Sequence, residues 1–173
     1  MMRLESCHAR FESASAALER YHAKLATPFA VLGIRTLADR VTDIDYLAVG
    51  IETLAPTTEL AERTCVEIER YLGDPEYLPQ VPFEYSGTAF QCRVWREISA
   101  IRCGRTLTYN DIARKLRTAP RPVGGACGRN RLPIVIPCHR VLAAGGLGGF
   151  MGGTAQPALA IKRWLLRHEG LSV

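Results

Sequence analysis

Two adjacent residues in this sequence can do covalent chemistry together. Cys138 and His139 lie within Ile134-Val135-Ile136-Pro137-Cys138-His139-Arg140-Val141-Leu142, an apolar run broken by a proline, a thiol, an imidazole and a guanidinium. Cysteine attacks as its thiolate, and at an ordinary pKa of about 8.5 only a few per cent is ionised near neutrality. A neighbouring imidazole can take the proton. Adjacent side chains on a regular strand point to opposite faces, so His139 reaches Cys138 directly only where Pro137 distorts the backbone, and otherwise acts through an intervening water. The flanking β-branched residues predict a buried strand that Pro137 ends, with the thiol where the strand stops. An arbitrary Cys-His pair is more often a small buried hydrophobe beside a core histidine, so the context must decide.

The elements around this run are legible from their punctuation. Thr88 caps a predicted helix over Ala89–Arg102 that buries Phe90, Val94, Trp95 and Ile98. Thr108 with Asp111 three positions on is a variant capping box opening a short helix to about Leu116. A second short helix is predicted from Pro122 to Arg129, and two short helices with a tight connection are the pattern of a helix-turn-helix. Its small residues Gly124, Gly125, Ala126 and Gly128 suit close approach of another helix or of a nucleic-acid backbone. Residues 143–153 are glycine-rich and predict a mobile loop beside the thiol, and Pro157–Glu169 predicts a last helix stopped by Gly170.

Upstream, Phe11, Leu18, Tyr21 and Leu25 are spaced for one face of an amphipathic helix over Phe11–Leu25. Residues 28–35 and 41–49 read as strands joined by a turn at Ala38-Asp39, with a third strand near Ile51–Leu54. Thr57 or Thr58 caps a helix to about Leu72, with Leu60, Cys65, Ile68 and Leu72 inward. Three prolines between Pro75 and Pro82 read as a linker. The boundary is therefore placed near Pro82–Gly87, separating a supporting α/β unit, residues 1–85, from a mostly helical unit, residues 86–173. Nothing in the first unit suggests catalysis.

At 173 residues with 47% hydrophobic and 23% charged residues, the chain is globular and large enough for one sizeable core or two small ones. No apolar run approaches the roughly 20 residues of a membrane span, and scattered Arg and Glu over Met1–Leu25 replace a hydrophobic signal core, so a cytoplasmic protein with no membrane partner is expected. The six cysteines lack CxxC pairing and read as reduced thiols. Cys7, His8 and His22 are weak candidates for zinc, and no metal or cofactor is expected. The net charge of +5 hides a division: residues 1–85 carry 8 Lys+Arg against 14 Asp+Glu, net −6, and residues 86–173 carry 14 against 3, net +11. The basic half is the plausible face for a polyanion.

Pro137-Cys138-His139-Arg140-Val141 resembles the active-site signature of the methylated-DNA-protein-cysteine methyltransferases, the O6-alkylguanine-DNA alkyltransferases. The resemblance extends through Gly87-Thr88-Ala89-Phe90-Gln91, Val94-Trp95, Thr108-Tyr109, Arg121-Pro122-Val123-Gly124, Asn130 and Lys162-Arg163-Trp164-Leu165-Leu166-Arg167-His168-Glu169, in family order over residues 87 to 170. It implies a ribonuclease-H-like first unit with a small antiparallel sheet, a winged-helix-like second unit, and a monomer acting on double-stranded DNA. The implied reaction is single-turnover transfer of a methyl or other alkyl group from O6-alkylguanine, and from O4-alkylthymine, to Cys138.

The same resemblance implies roles residue by residue. Glu169 orients His139, which draws the proton of Cys138 through a water; Tyr109 donates to the leaving guanine. Arg121 enters the base stack in place of the flipped nucleotide, with Thr108, Tyr109, Ala126 and Arg129 also against DNA. Pro133, Val141, Phe150, Met151, Gly152 and Lys162 form the substrate pocket, and Asn130 ties the helix pair to the active-site segment. Phe150 stands where tyrosine is common, the loop is one residue short, Arg102 and Arg131 replace common prolines, and the turn of the helix pair is shortened. These departures bear on substrate range and affinity. Three other readings differ in what they require. A non-catalytic lesion-binding relative would lack the cysteine, a helix-turn-helix regulator would read an operator and usually dimerise, and a papain-like hydrolase would place its histidine far from Cys138 in sequence.

Overall fold

The computed structural model describes residues 21–172. Strands β1 (Ala23–Ala26), β2 (Val31–Leu37) and β3 (Arg40–Leu47) form an antiparallel meander in that order, with Ala23 opposite Ile34 and Ile34 opposite Ile44. The Thr27 hydroxyl donates to the Ala30 carbonyl at 2.7 Å and closes the first turn. In the second, Ala38 takes the left-handed conformation (φ 51°) that a two-residue hairpin connection requires. Helix α1 (Glu59–Gly73) lies against this sheet, capped by the Thr58 hydroxyl, and buries Ala61, Cys65, Ile68 and Tyr71.

Two expectations fail here. The predicted helix over Phe11–Leu25 gives way to β1 at its end, because pairing with β2 uses the backbone of Ala23–Ala26; residues 11–20 lie outside the described residues. The third strand near Ile51–Leu54 is reduced to one bridge between Leu54 and Lys24.

Helix α2 (Ala89–Ser99) opens on a complete Thr88–Gln91 capping box and buries Val94, Trp95 and Ile98. Strand β4 (Leu107–Thr108) leads directly into α3 (Tyr109–Leu116), whose Thr108–Asp111 box is also complete. Helix α4 (Pro120–Cys127) follows after Arg117, a left-handed C-cap (φ 52°). A single 3-10 turn, Cys138–Arg140, runs into β5 (Val141–Leu142), which pairs in parallel with β4. Helix α5 (Gln156–His168) closes the fold. The described residues thus form an α/β fold with a small antiparallel sheet and five α-helices. The sheet meets the helical half through the Ile44 amide on the Arg131 carbonyl (2.8 Å), the Arg131–Asp43 ion pair (2.6 Å) and the Phe29–Trp164 ring contact.

Candidate active site

The predicted strand before Cys138 does not form. Ile134 adopts φ 74°, a conformation expensive for a β-branched residue. The ladder partners a strand would need are replaced by local ones: the Ile136 amide donates to the Leu132 carbonyl, and Asn130 uses its carboxamide on both sides, donating to the Ile136 carbonyl (2.8 Å) and accepting from the Leu132 amide (3.0 Å). Pro137, at φ −78° and ψ 64°, then centres an inverse γ-turn closed by the Cys138 amide on the Ile136 carbonyl at 2.8 Å. Proline serves this position because its φ is preset and its missing N–H leaves no orphan donor. Cys138 therefore opens a 3-10 turn and β5 begins only after it. The backbone distortion the sequence asked of Pro137 is present, in tighter form.

Behind the thiol, His139 is buried and its Nε2 lies 2.8 Å from Oε1 of Glu169 at the C-cap of α5. Arg140 donates to the same carboxylate from Nε (2.9 Å to Oε2) and Nη2 (2.8 Å to Oε1), and its Nη1 reaches the Ile101 carbonyl. The Tyr71 hydroxyl, from α1, donates to Oε1 at 2.9 Å. Burial alone would raise the Glu169 pKa, but the hydrogen bonds and charges of His139 and Arg140 outweigh it and bring the carboxyl down to about 2. The anion fixes His139 with its proton on Nε2. Nδ1, buried and without a protein partner, is left as the basic nitrogen. Burial lowers the His139 pKa against the pull of Glu169, so the ring rests neutral, as a base must. Burial also raises the Cys138 thiol, opposed by Asn130, the Lys162 charge and the Cys138 and His139 amides. The resting pair is a thiol and, on the next residue, an imidazole with one free ring nitrogen.

Cys138 faces a cavity of about 810 Å³ between α4 and the glycine-rich loop, walled by Tyr109, Arg121, Cys127, Phe150 and Met151. Lys162, fully buried on α5, holds that loop: its ammonium donates to the carbonyls of Val141 (2.7 Å), Leu147 (2.7 Å) and Gly149 (2.9 Å). Burial takes its pKa down to about 8. The Tyr109 hydroxyl also donates to the Gly149 carbonyl (3.1 Å), and burial raises its pKa, so it stays protonated. The loop closes on α4 at Gly128, where an added Cβ would lie 2.8 Å from the Gly152 Cα. At Gly124 and Gly125 an added Cβ meets only ordinary contacts, so packing does not demand those two glycines.

Of the residues expected at the site, Cys138, Tyr109, Arg121, Arg129, Phe150, Met151 and Gly152 line the cavity. Lys162, His139 and Glu169 stand behind its wall, and Asn130 lies under the thiol turn. Thr108 spends its hydroxyl on the cap of α3; Pro133 and Val141 are buried and do not line the cavity. Ala126, expected on the DNA-facing surface, is buried, with its carbonyl accepting from Trp95 Nε1 at 2.9 Å. The His22 Nδ1 accepts from the Thr36 amide (3.0 Å), and Cys7 and His8 lie outside the described residues, among which no group of three or more His, Cys, Asp or Glu could hold a metal. No helix among them is long and apolar enough to cross a membrane. Sequence reasoning missed Arg140, Cys127 and two tyrosines of the first half. Tyr71 binds Glu169; Tyr46, whose buried hydroxyl has no partner, packs its ring on Phe150 at 5.9 Å and comes within electrostatic reach of Cys138.

Comparison with known proteins agrees with this geometry. Residues 89–171 match the family described as 6-O-methylguanine DNA methyltransferase, DNA binding domain. The chain is 35% identical over 136 residues to a methylated-DNA–protein-cysteine methyltransferase of Shigella flexneri, covering 76% of this chain and 75% of the relative. It is 29% identical over 144 residues to the protein of that name from Metallosphaera sedula, covering 83% and 89%. The crystal structure of Mycobacterium tuberculosis OGT in complex with DNA superposes with a TM-score of 0.71 at 30% identity, covering 84% of this chain and 90% of that one. With its thiol, imidazole and carboxylate in place on this shared fold, the chain belongs to the methylated-DNA–protein-cysteine methyltransferase family.

Proposed function

We propose that the protein repairs DNA directly, moving a methyl or other alkyl group from O6 of guanine, and from O4 of thymine, to its own Cys138 once per molecule. The observation that carries this reading is Cys138 lining an open cavity while His139, the next residue of the same 3-10 turn, pairs with Glu169 at 2.8 Å. Nδ1 of His139 takes the thiol proton through a water. The Sγ electron pair then forms a bond to the alkyl carbon as its bond to O6 breaks. The pair released from that bond goes to the guanine, whose growing charge the Tyr109 hydroxyl meets by hydrogen bonding before the base takes up a proton. The product thioether has no route back to a thiol.

A stacked base cannot present its alkyl carbon to a thiol in a cavity, so the nucleotide is flipped out, costing a few kcal/mol. Arg121, exposed on the first turn of α4 and at the cavity rim, fills the stack; its planar guanidinium stacks and hydrogen-bonds as an ammonium would not. The room at Gly124 and Gly125 lets a nucleic-acid backbone approach α4, which acts with α3 as a helix-turn-helix in a winged-helix-like unit of residues 86–173. Residues 1–85, ribonuclease-H-like, support it. The protein works as a cytoplasmic monomer on double-stranded DNA and needs no cofactor. Intact mass before and after incubation with an O6-methylguanine duplex tests the assignment: a gain of one methyl on the Cys138 peptide is expected, with no gain in Cys138→Ser. Methyl uptake by another cysteine in that variant would refute it.

A further inference from the structure

The relay's carboxylate is held from the half of the chain in which no chemistry was expected. Oε1 of Glu169 is met by three residues: His139 at 2.8 Å, Arg140 through Nη2 at 2.8 Å and Nε at 3.2 Å, and the Tyr71 hydroxyl at 2.9 Å. Arg140 alone satisfies Oε2, through Nε at 2.9 Å. Arg140 grips the carboxylate along one edge, which leaves the group free to tilt about that grip. Tyr71 reaches Oε1 from a separate element, α1, and a second anchor from a different direction removes that freedom. The tyrosine is itself fixed. It is buried, its ring meets the His168 ring edge-on at 5.2 Å, and its carbonyl pairs with His168 Nε2 at 2.8 Å. A phenol kept this rigid has lost little freedom in making its hydrogen bond.

We propose that Tyr71 is a positioning residue for alkyl transfer, its hydroxyl setting the Glu169 carboxylate in the orientation that His139 requires. The inference rests on Glu169 acting through His139 as above, and it makes residues 1–85 a contributor to the reaction rather than a support. The charged and titratable groups around Glu169 are Tyr71 from α1, Cys103 from the α2–β4 connection, and His139 and Arg140 from the 3-10 turn. Of these, Tyr71 is a neutral donor to the anion. Burial and the nearby carboxylate raise its own pKa, so it remains a donor across the working range. Removing it makes the His139–Glu169 unit easier to protonate, and a protonated unit cannot take the thiol proton.

The test is Tyr71→Phe, which keeps the ring and its contacts. Rates of Cys138 alkylation by free O6-benzylguanine are followed by intact mass from acid to alkaline pH, in the wild type, Y71F, E169Q and the double variant. Y71F is expected to be slower by roughly 10-fold, the size of loss typical when a partner behind a functional group is removed. Its acid limb moves to higher pH, and Y71F adds no further loss in the E169Q background. An unmoved acid limb, or losses that multiply in the double variant, would assign Tyr71 to packing alone and overturn the inference. Failure of the wild type itself to gain a benzyl group on Cys138 would instead strike the function proposed above.

Discussion

Replacing Lys162 by Met tests what one buried ammonium does for the fold and for the site. The side chains are of similar length and Met remains apolar along the stem, so the change removes one buried ammonium and its three hydrogen bonds to the carbonyls of Val141, Leu147 and Gly149. A hydrogen bond from a charged donor contributes a net of about 1.5–3 kcal/mol, so the loss of three costs roughly 4.5–9 kcal/mol. Against this stands the cost of burying the charge. Burial lowers the Lys162 pKa from an ordinary 10.5 to about 8, and at about 1.4 kcal/mol per pH unit this corresponds to about 3 kcal/mol relative to a neutral side chain. The bonds outweigh the burial cost by roughly 2–6 kcal/mol. The melting temperature of K162M at pH 7 is therefore expected roughly 5–20 °C below the wild type, since 1 kcal/mol moves a chain of this size by about 2–4 °C. The site suffers as well, because nothing in K162M ties residues 147–149 to α5. Their amides should exchange hydrogen faster, and alkylation by free O6-benzylguanine should slow roughly 10- to 100-fold through misplacement of the cavity wall.

The pH dependence is a second readout of the same variant. Above pH 8 the folded wild type loses the Lys162 proton while the unfolded chain keeps it up to about 10.5. The unfolded state then binds more protons, so this group makes the wild type more stable as pH rises through that window, an increment K162M lacks. An unchanged or raised melting temperature at pH 7 would show that the buried charge costs as much as the carbonyl bonds contribute, and unchanged exchange would show that those bonds do not hold the loop; either refutes the reasoning.

Two further outcomes follow from the cavity rim and the charge division. Arg121→Ala should slow repair of an O6-methylguanine duplex by roughly 10- to 100-fold, because a few kcal/mol of flipping are no longer offset, while reaction with free O6-benzylguanine changes less than about twofold; equal losses in the two rate measurements would place Arg121 in folding or in the pocket. Binding to unmodified duplexes should be nearly independent of sequence and fall with salt by a slope of about 0.9 in log affinity per neutralised phosphate. Titration of several sequences at three salt concentrations checks this, and a strong preference for one of them would point to operator reading.

The parts of this structure that the sequence announced are those whose cause is local. Thr58, Thr88 and Thr108 each cap the helix they open, and Asp111 and Gln91 complete boxes within three residues. The turn at Ala38-Asp39 was visible for the same reason. Ile134-Val135-Ile136 misled because β-branched composition reports burial, which these residues have, and not pairing, which the Asn130 carboxamide and the Pro137 turn deny them. The segment ending at Leu25 misled because helical spacing cannot compete with a ladder supplied by β2. Cys138 and His139 stood out as an adjacent thiol and imidazole, but their link to Glu169 was legible only through resemblance, since His139 and Glu169 are 30 residues apart in the chain. Tyr71 carried no signal at all: its partner is 98 residues away, and a tyrosine on the buried stripe of an amphipathic helix reads as core.

That separation has a kinetic meaning. The thiol turn is built by contacts within a dozen residues, from Asn130 to Arg140, and can form early. The carboxylate that activates it arrives only when α5 docks, and the Tyr71 anchor closes a loop of 98 residues, among the most entropically expensive contacts in the chain. Chains are made N-terminus first, so Cys138 exists for a time before Glu169 does. Throughout that interval it is an ordinary thiol with no oriented base behind it. A protein that can react only once gains from this order of events, because its one reaction becomes available only after the cavity that selects the substrate has been assembled.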